Sequence, residues 1–197
     1  MSDLIKSIIE RRTSKPNTFL KESPDPAIIR KSIKIARNAP NHRRTEPARF
    51  YLLDSTRIEK VGQLFGEVVA VDGSDPLLVK RGKMKASEWG NCPGLLIVTC
   101  HTVQTSELVQ KKPAVIEEDY ATCCCICQNL LLLLEKEGIS SKWSTGPVWE
   151  HPHFAETIGL TSPTNERVVA LIFYGYSESK LETRTLAPIN QHLVDYL

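Results

Sequence analysis

Apolar positions along the chain fall mostly at helical spacing. Leu4, Ile5, Ile8 and Ile9 recur at that spacing and predict a short first helix, which gives way to Arg11-Arg12-Thr13-Ser14 and is stopped by Pro16. Ser23-Pro24-Asp25-Pro26 is a start signal for a second helix carrying Ile28, Ile29, Ile33 and Ile35, broken at Asn38-Ala39-Pro40-Asn41-His42. Residues 55–71 and 75–89 read as two more helices. Three shorter runs, 49–53, 94–100 and 168–174, read as strands, the second buried and the third central. The strongest helix spans 114–138, with Glu117, Glu118 and Asp119 at its positive end, Lys136 in its last turn and Gly138 as its cap. Nearly every position between those ends is apolar, so the helix must be buried on all sides, most easily with a second subunit over one face. Residues 142–146 read as a short segment leaving the core, and 186–197 as an extended arm. Helices outnumber strands without a clean βαβα series, which predicts an α+β fold rather than a doubly wound parallel sheet.

Length sharpens this picture. At about 150 residues per domain, 197 residues make a single domain, 1–197, with the arm appended. The longest purely apolar run, Leu130 to Leu134, is far short of the ~18–20 residues that span a bilayer, and the first residues have no basic and then apolar leader. The expectation is a soluble, cytoplasmic protein with no membrane partner. Four of the six cysteines crowd into residues 123–127, which closes no loops, so a reducing compartment fits better than a disulfide framework. Residues 1–50 hold 12 Lys and Arg against 5 Asp and Glu, while the remainder holds 13 against 18. A basic first quarter suits an anion: a small phosphorylated ligand, a nucleic-acid backbone or an acidic surface.

Several chemistries are missing. There is no Gly-x-Gly-x-x-Gly after a strand, no Walker A sequence and no Gly-x-Ser-x-Gly elbow. His151-Pro152-His153 lacks a third ligand at a usable spacing, so no metal is expected. Cys124 and Cys127 match Cys-x-x-Cys, but deep in a buried helix such a pair reads as core packing. Three segments remain. Arg11, Arg12, Thr13 and Ser14, two guanidinium groups and two hydroxyls before a proline, suit a terminal phosphate. The loop from Ala39 to Pro47, holding His42 and Glu46 between prolines, suits a ligand clamp. Trp143, Ser144, Thr145 and Gly146 combine a ring with small residues that let a backbone approach a flat ligand.

In this order the three segments resemble the FMN-dependent nitroreductase family, in particular its small NAD(P)H-using members, from Ile8-Ile9-Glu10-Arg11-Arg12 to Tyr174-Gly175. The resemblance implies a mainly antiparallel sheet flanked by helices, in an intertwined homodimer with two interfacial FMN molecules and an exchanged C-terminal arm. It implies that Arg11, Arg12 and Thr13 hold the phosphate, ribityl chain and pyrimidine side of FMN, with Ser14 as a further donor. His42 and Glu46 would reach the cofactor from the partner subunit, and Trp143, Ser144, Thr145 and Gly146 would line the ring. The implied activity passes hydride from NAD(P)H through the flavin to nitroaromatics, quinones or related conjugated acceptors, with ping-pong kinetics and no dedicated catalytic side chain. Alternatives are a dehydrogenase or reductive dehalogenase of the same fold, with residues 70–92 setting specificity, a flavin binder without turnover, or a nucleic-acid binder using the basic quarter. Two features depart from the family or stay open. The family commonly reads Gln-Pro-Trp where this chain has Glu46-Pro47-Ala48, placing a carboxylate near a flavin that becomes anionic on reduction. Arg184 is a further candidate for the phosphate.

Overall fold

The computed structural model describes residues 3–179, 182, 185–189 and 192–194. Its core is a four-stranded antiparallel sheet of β1 (Ala48–Leu52), β2 (Gly94–His101), β3 (Ser140–Ser144) and β4 (Glu166–Gly175) in the order β1-β2-β4-β3. Helices α1 (Asp3–Glu10), α2 (Pro26–Ala36), α3 (Ser55–Ala70), α4 (Pro76–Gly90), α5 (Glu107–Lys111), α6 (Val115–Lys136) and α7 (Phe154–Ile158) flank it. The fold is α+β, as expected from the sequence.

Three helices begin in the same way. Asp25, Asp54 and Asp75 cap α2, α3 and α4 by accepting from the backbone N–H of Ala27, Arg57 and Leu77 at 2.8, 2.8 and 2.7 Å. Pro26 and Pro76 follow two of these caps in the first turn, where a missing N–H removes no intrahelical bond.

Strand pleating sorts the apolar residues into two cores. Leu96, Val98, Ala170 and Ile172 face α2 and α6, packing with Ile29, Cys123, Ile126, Cys127, Leu130 and Leu134. Leu95, Ile97, Leu171 and Phe173 face the other way, onto Ile58, Val61, Trp89, Phe154 and Ile158 of α3, α4 and α7. This two-sided burial explains why β2 and β4 are almost continuously apolar. At the end of the sheet, the buried Glu166 carboxylate accepts from Thr99 Oγ1, Tyr51 Oη and Thr161 Oγ1 at 2.6, 2.7 and 3.0 Å, tying β1, β2 and β4 together.

α3 and α4 form a hairpin whose helices touch backbone to backbone. A Cβ on Gly62 would lie 2.5 Å from Gly90 N, and one on Gly82 would lie 2.5 Å from the Gly66 carbonyl oxygen.

Ala121, Cys125 and Gln128 of α6 stay exposed within one chain, a face left for a second subunit to cover. Two expectations change. Residues 142–144, expected in a segment leaving the core, belong to an edge strand paired with β4. In the arm, Leu186, Ile189, Leu193 and Val194 are exposed and 192–194 follow a turn at Ile189, with no strand among the described residues; 195–197 and Arg184 lie outside them.

Candidate functional site

The end of α1 delivers Arg11–Ser14 alongside β3. Thr13 bridges Ser141 in parallel, and the Ser14 N–H donates to the Ser141 carbonyl at 3.1 Å. β3 is the sheet's last strand, so beyond this short bridge its outer edge offers backbone groups to a ligand. Two of the three predicted segments, Arg11–Ser14 and Trp143–Gly146, are thereby brought side by side.

The side chains divide their tasks. Arg11 is half-buried, and its guanidinium makes no hydrogen bond among the described residues. Its charge is felt by Glu135 of α6, whose carboxyl burial pushes up, with Arg11 pulling it back down. Arg12 is held: its Nη1 donates to the Ile9 and Arg11 carbonyls at 2.5 and 2.9 Å, and its Nε to the Glu182 carbonyl at 3.1 Å. It fastens the helix end to the C-terminal segment. Thr13 is exposed, whereas Ser14 is buried at 1% exposure.

On β3, Trp143 sits opposite Ile172 and packs against the α6-side core, so it is partly a core anchor. Ser144 is buried and Thr145 exposed. Gly146 has extended backbone, and a Cβ there would meet only the Trp89 ring, at 3.8 Å; the chain's own packing does not require the glycine. The sequence did not single out Trp89, which lies beneath Gly146 and is stacked on Phe65 with ring centroids 3.7 Å apart. Nor did it single out Ser141, whose Oγ is buried without a hydrogen-bond partner among the described residues. Lys142 is half-buried next to it; burial pulls its amine down, Glu88 pulls it up, and Lys85 and Lys15 push it down further. Cations, hydroxyls and an open strand edge make this a binding arrangement for a phosphate and a flat polar ring.

His42 and Glu46 are elsewhere. His42 lies 3.7 Å from Glu118 in the first turn of α6, while Arg11 and Arg12 act on Glu135 in its last. Those positions are about 25 Å apart along the helix at 1.5 Å per residue. The structure therefore does not bring the third segment to the first two within one chain. Glu46 forms an ion pair with Arg37 at 2.6 Å, so the carboxylate that departs from the family pattern is turned towards a cation.

The turn carrying these residues is strained. Arg43, Arg44 and Glu46 adopt φ of 60, 55 and 47°, a region costly for residues with a Cβ. It is pinned from below: Asn41 Oδ1 accepts from the Thr45 N–H at 3.2 Å, and the single Thr45 hydroxyl proton goes to the buried Asp119 at 2.5 Å. Asp119 also accepts from Thr102 Oγ1 at 2.6 Å.

Cys124 is half-buried against the α6-side core and Cys127 is fully buried in it. Burial pushes both thiols up, so the Cys-x-x-Cys pair has the character of packing. Among the described residues no three His, Cys, Asp or Glu side chains converge to hold a metal ion, and no helix is long and apolar enough to cross a membrane.

The Nitroreductase family profile matches residues 8–176. A Bacillus subtilis (strain 168) protein named "Putative NAD(P)H nitroreductase YfhC" is 28% identical over 193 residues, covering 98% of this chain and 94% of that one. The crystal structure of a nitroreductase-like family protein from Bacillus cereus superposes with a TM-score of 0.79 at 25% identity, covering 99% of this chain and 96% of the other. That of a nitroreductase with bound FMN from Bacteroides fragilis NCTC 9343 superposes at 0.75 and 18% identity, covering 99% and 100%. With the profile spanning most of its length, from the end of α1 to just past β4, the chain belongs to the nitroreductase family.

Proposed function

We propose that this chain is an FMN-dependent, NAD(P)H-consuming oxidoreductase acting on nitroaromatics, quinones or related conjugated acceptors, working as a homodimer. The observation that carries the reading is the division of the site: Arg11–Ser14 and the β3 edge at one end of α6, His42 and Glu46 at the other. A second copy is the economical way to bring both ends to one ligand. The exposed Leu4, Ile8 and Ile9 on α1, with the open face of α6, give that copy an apolar surface to cover.

The residues fit the cofactor. Arg11 has a guanidinium that makes no hydrogen bond among the described residues and can meet the phosphate, Thr13 and the orphaned Ser141 hydroxyl stand beside it, and the backbone from Ser144 to Gly146 lies open for the ring. Held by these residues, FMN would supply the hydride relay between the reduced nicotinamide and a conjugated acceptor. The chain contributes binding and orientation. Arg12 holds the α1 terminus in place through three carbonyls, Trp89 and Trp143 stiffen the floor, and the Asp119–Thr45 contact fixes the turn that meets the neighbouring copy. Arg37 compensates Glu46, which keeps that carboxylate from opposing negative charge on a reduced ring.

The test is the visible spectrum of the purified protein, before and after anaerobic NADPH or NADH. Flavin bands that bleach support the reading; protein that stays colourless after reconstitution with FMN overturns it, and bands that do not bleach point to a flavin binder without turnover. Arg11→Ala should purify with most of its flavin lost. Full occupancy in that variant would refute the phosphate assignment.

A further inference from the structure

On the far side of the strained turn lies a cleft of about 500 Å³ that shares only Glu46 with the flavin reading. It is lined by Lys34, Arg37 and Asn38 of α2, Asn41, Arg44 and Glu46 of the turn, and Arg49 of β1. Four cations face one carboxylate. Arg37 and Glu46 cancel each other at 2.6 Å. Arg49 Nη1 donates to the Glu46 and Ala48 carbonyls at 3.0 and 3.1 Å, which orients the guanidinium without neutralising it. Lys34 and Arg44 have no carboxylate partner among the described residues. Three positive charges thus converge on a concavity, next to an Asn41 whose oxygen is already committed to Thr45 and whose amide donors are not.

Backbone strain marks the same place. Three non-glycine residues of four in the left-handed region persist only if the surroundings over-determine them, and here the buried Asp119 and Asn41 do so. Without that scaffold Arg44 would relax away from Lys34 and Arg49, because like charges repel. The strain holds a cationic cluster together, and such a cluster is relieved by an anion.

We propose that this cleft is an anion subsite for the 2′-phosphate of the electron donor, so that the protein prefers NADPH to NADH. The inference rests on the flavin reading, which puts His42 and Glu46 of this turn against the cofactor and so sets the cleft beside the slot where the donor stacks. A phosphomonoester carries about −1.5 to −2 charges at neutral pH, which offsets half or more of the charge on the three uncompensated cations. NADH presents an uncharged hydroxyl at that position. A concavity of this size has room for a phosphate together with the nucleoside that carries it, whereas a nucleic-acid backbone would need an extended cationic track.

The experiment uses FMN-reconstituted protein and has two arms. Calorimetric titration with adenosine 2′,5′-bisphosphate and adenosine 5′-monophosphate reads the subsite without turnover; the bisphosphate should bind more tightly, with an advantage that shrinks as salt rises. Steady-state kinetics then compare the protein with Lys34→Gln/Arg44→Gln, two exposed positions outside the flavin contacts. KM for NADPH should rise roughly tenfold, which is about 1.4 kcal/mol, while KM for NADH and kcat hold. Equal binding of the two probes, or an equal effect on both donors, overturns the subsite and leaves the flavin reading standing. A flavin bleached by neither donor overturns the flavin reading, and the donor assignment with it.

Discussion

Glu166 shows how one buried carboxylate can tune a fold. Burial pushes its carboxyl up, but the hydroxyls of Thr99, Tyr51 and Thr161 more than offset this and hold it below its ordinary value. A carboxyl whose folded pKa is depressed contributes stability that is present above its unfolded value, near 4.3, and lost as pH falls through the folded one. Urea midpoints should therefore drop as pH is lowered from about 5 towards 3, and Glu166→Gln should flatten that decline; an unchanged acid limb would show that other carboxylates carry it. Site residues were only partly legible at this scale. Arg11–Ser14 could be found because adjacent guanidinium and hydroxyl groups before a proline form a local pattern. Ser141 could not, because a serine is orphaned only by what surrounds it. Nor could the Arg37–Glu46 pair, whose members are nine residues apart and meet through a turn built from left-handed arginines, where sequence rules anticipate glycine or asparagine.

At the scale of elements, the long periodic segments were readable because their signals are local. The expectations 55–71, 75–89 and 114–138 fall close to Ser55–Ala70, Pro76–Gly90 and Val115–Lys136. α5 and α7, of five residues each, are too short to establish a period. β3 reads Ser-Ser-Lys-Trp-Ser, with no β-branched residue, and is a strand because β4 offers it a free edge. The contact between α3 and α4 was likewise invisible until the helices were placed, since spaced glycines look like defects in a helix read alone. There, Gly62→Ala or Gly82→Ala should destabilise the protein by about 1–3 kcal/mol in urea unfolding, because each Cβ would press on backbone that cannot yield. The usual Gly-to-Ala gain in a helix, at most about 1 kcal/mol, would appear instead if the hairpin could spread.

Over the whole molecule, the governing feature is the separation of the two predicted segments along α6, which in the proposed homodimer would leave each chain carrying half of two different sites. A lesion in one half leaves the other half of the same chain intact. Arg11→Ala spoils the phosphate end, while a His42→Ala/Glu46→Ala chain keeps it. Mixed dimers of the two would hold one doubly damaged site and one wholly native site. Unfolding the two defective proteins together and refolding them as a mixture should restore bound flavin and donor-dependent bleaching to about a quarter of the wild-type level, with half the dimers mixed and one site of two repaired in each. No recovery would mean that each chain builds its site alone. In genetic terms, alleles damaged at opposite ends of α6 should complement one another, and alleles damaged at the same end should not.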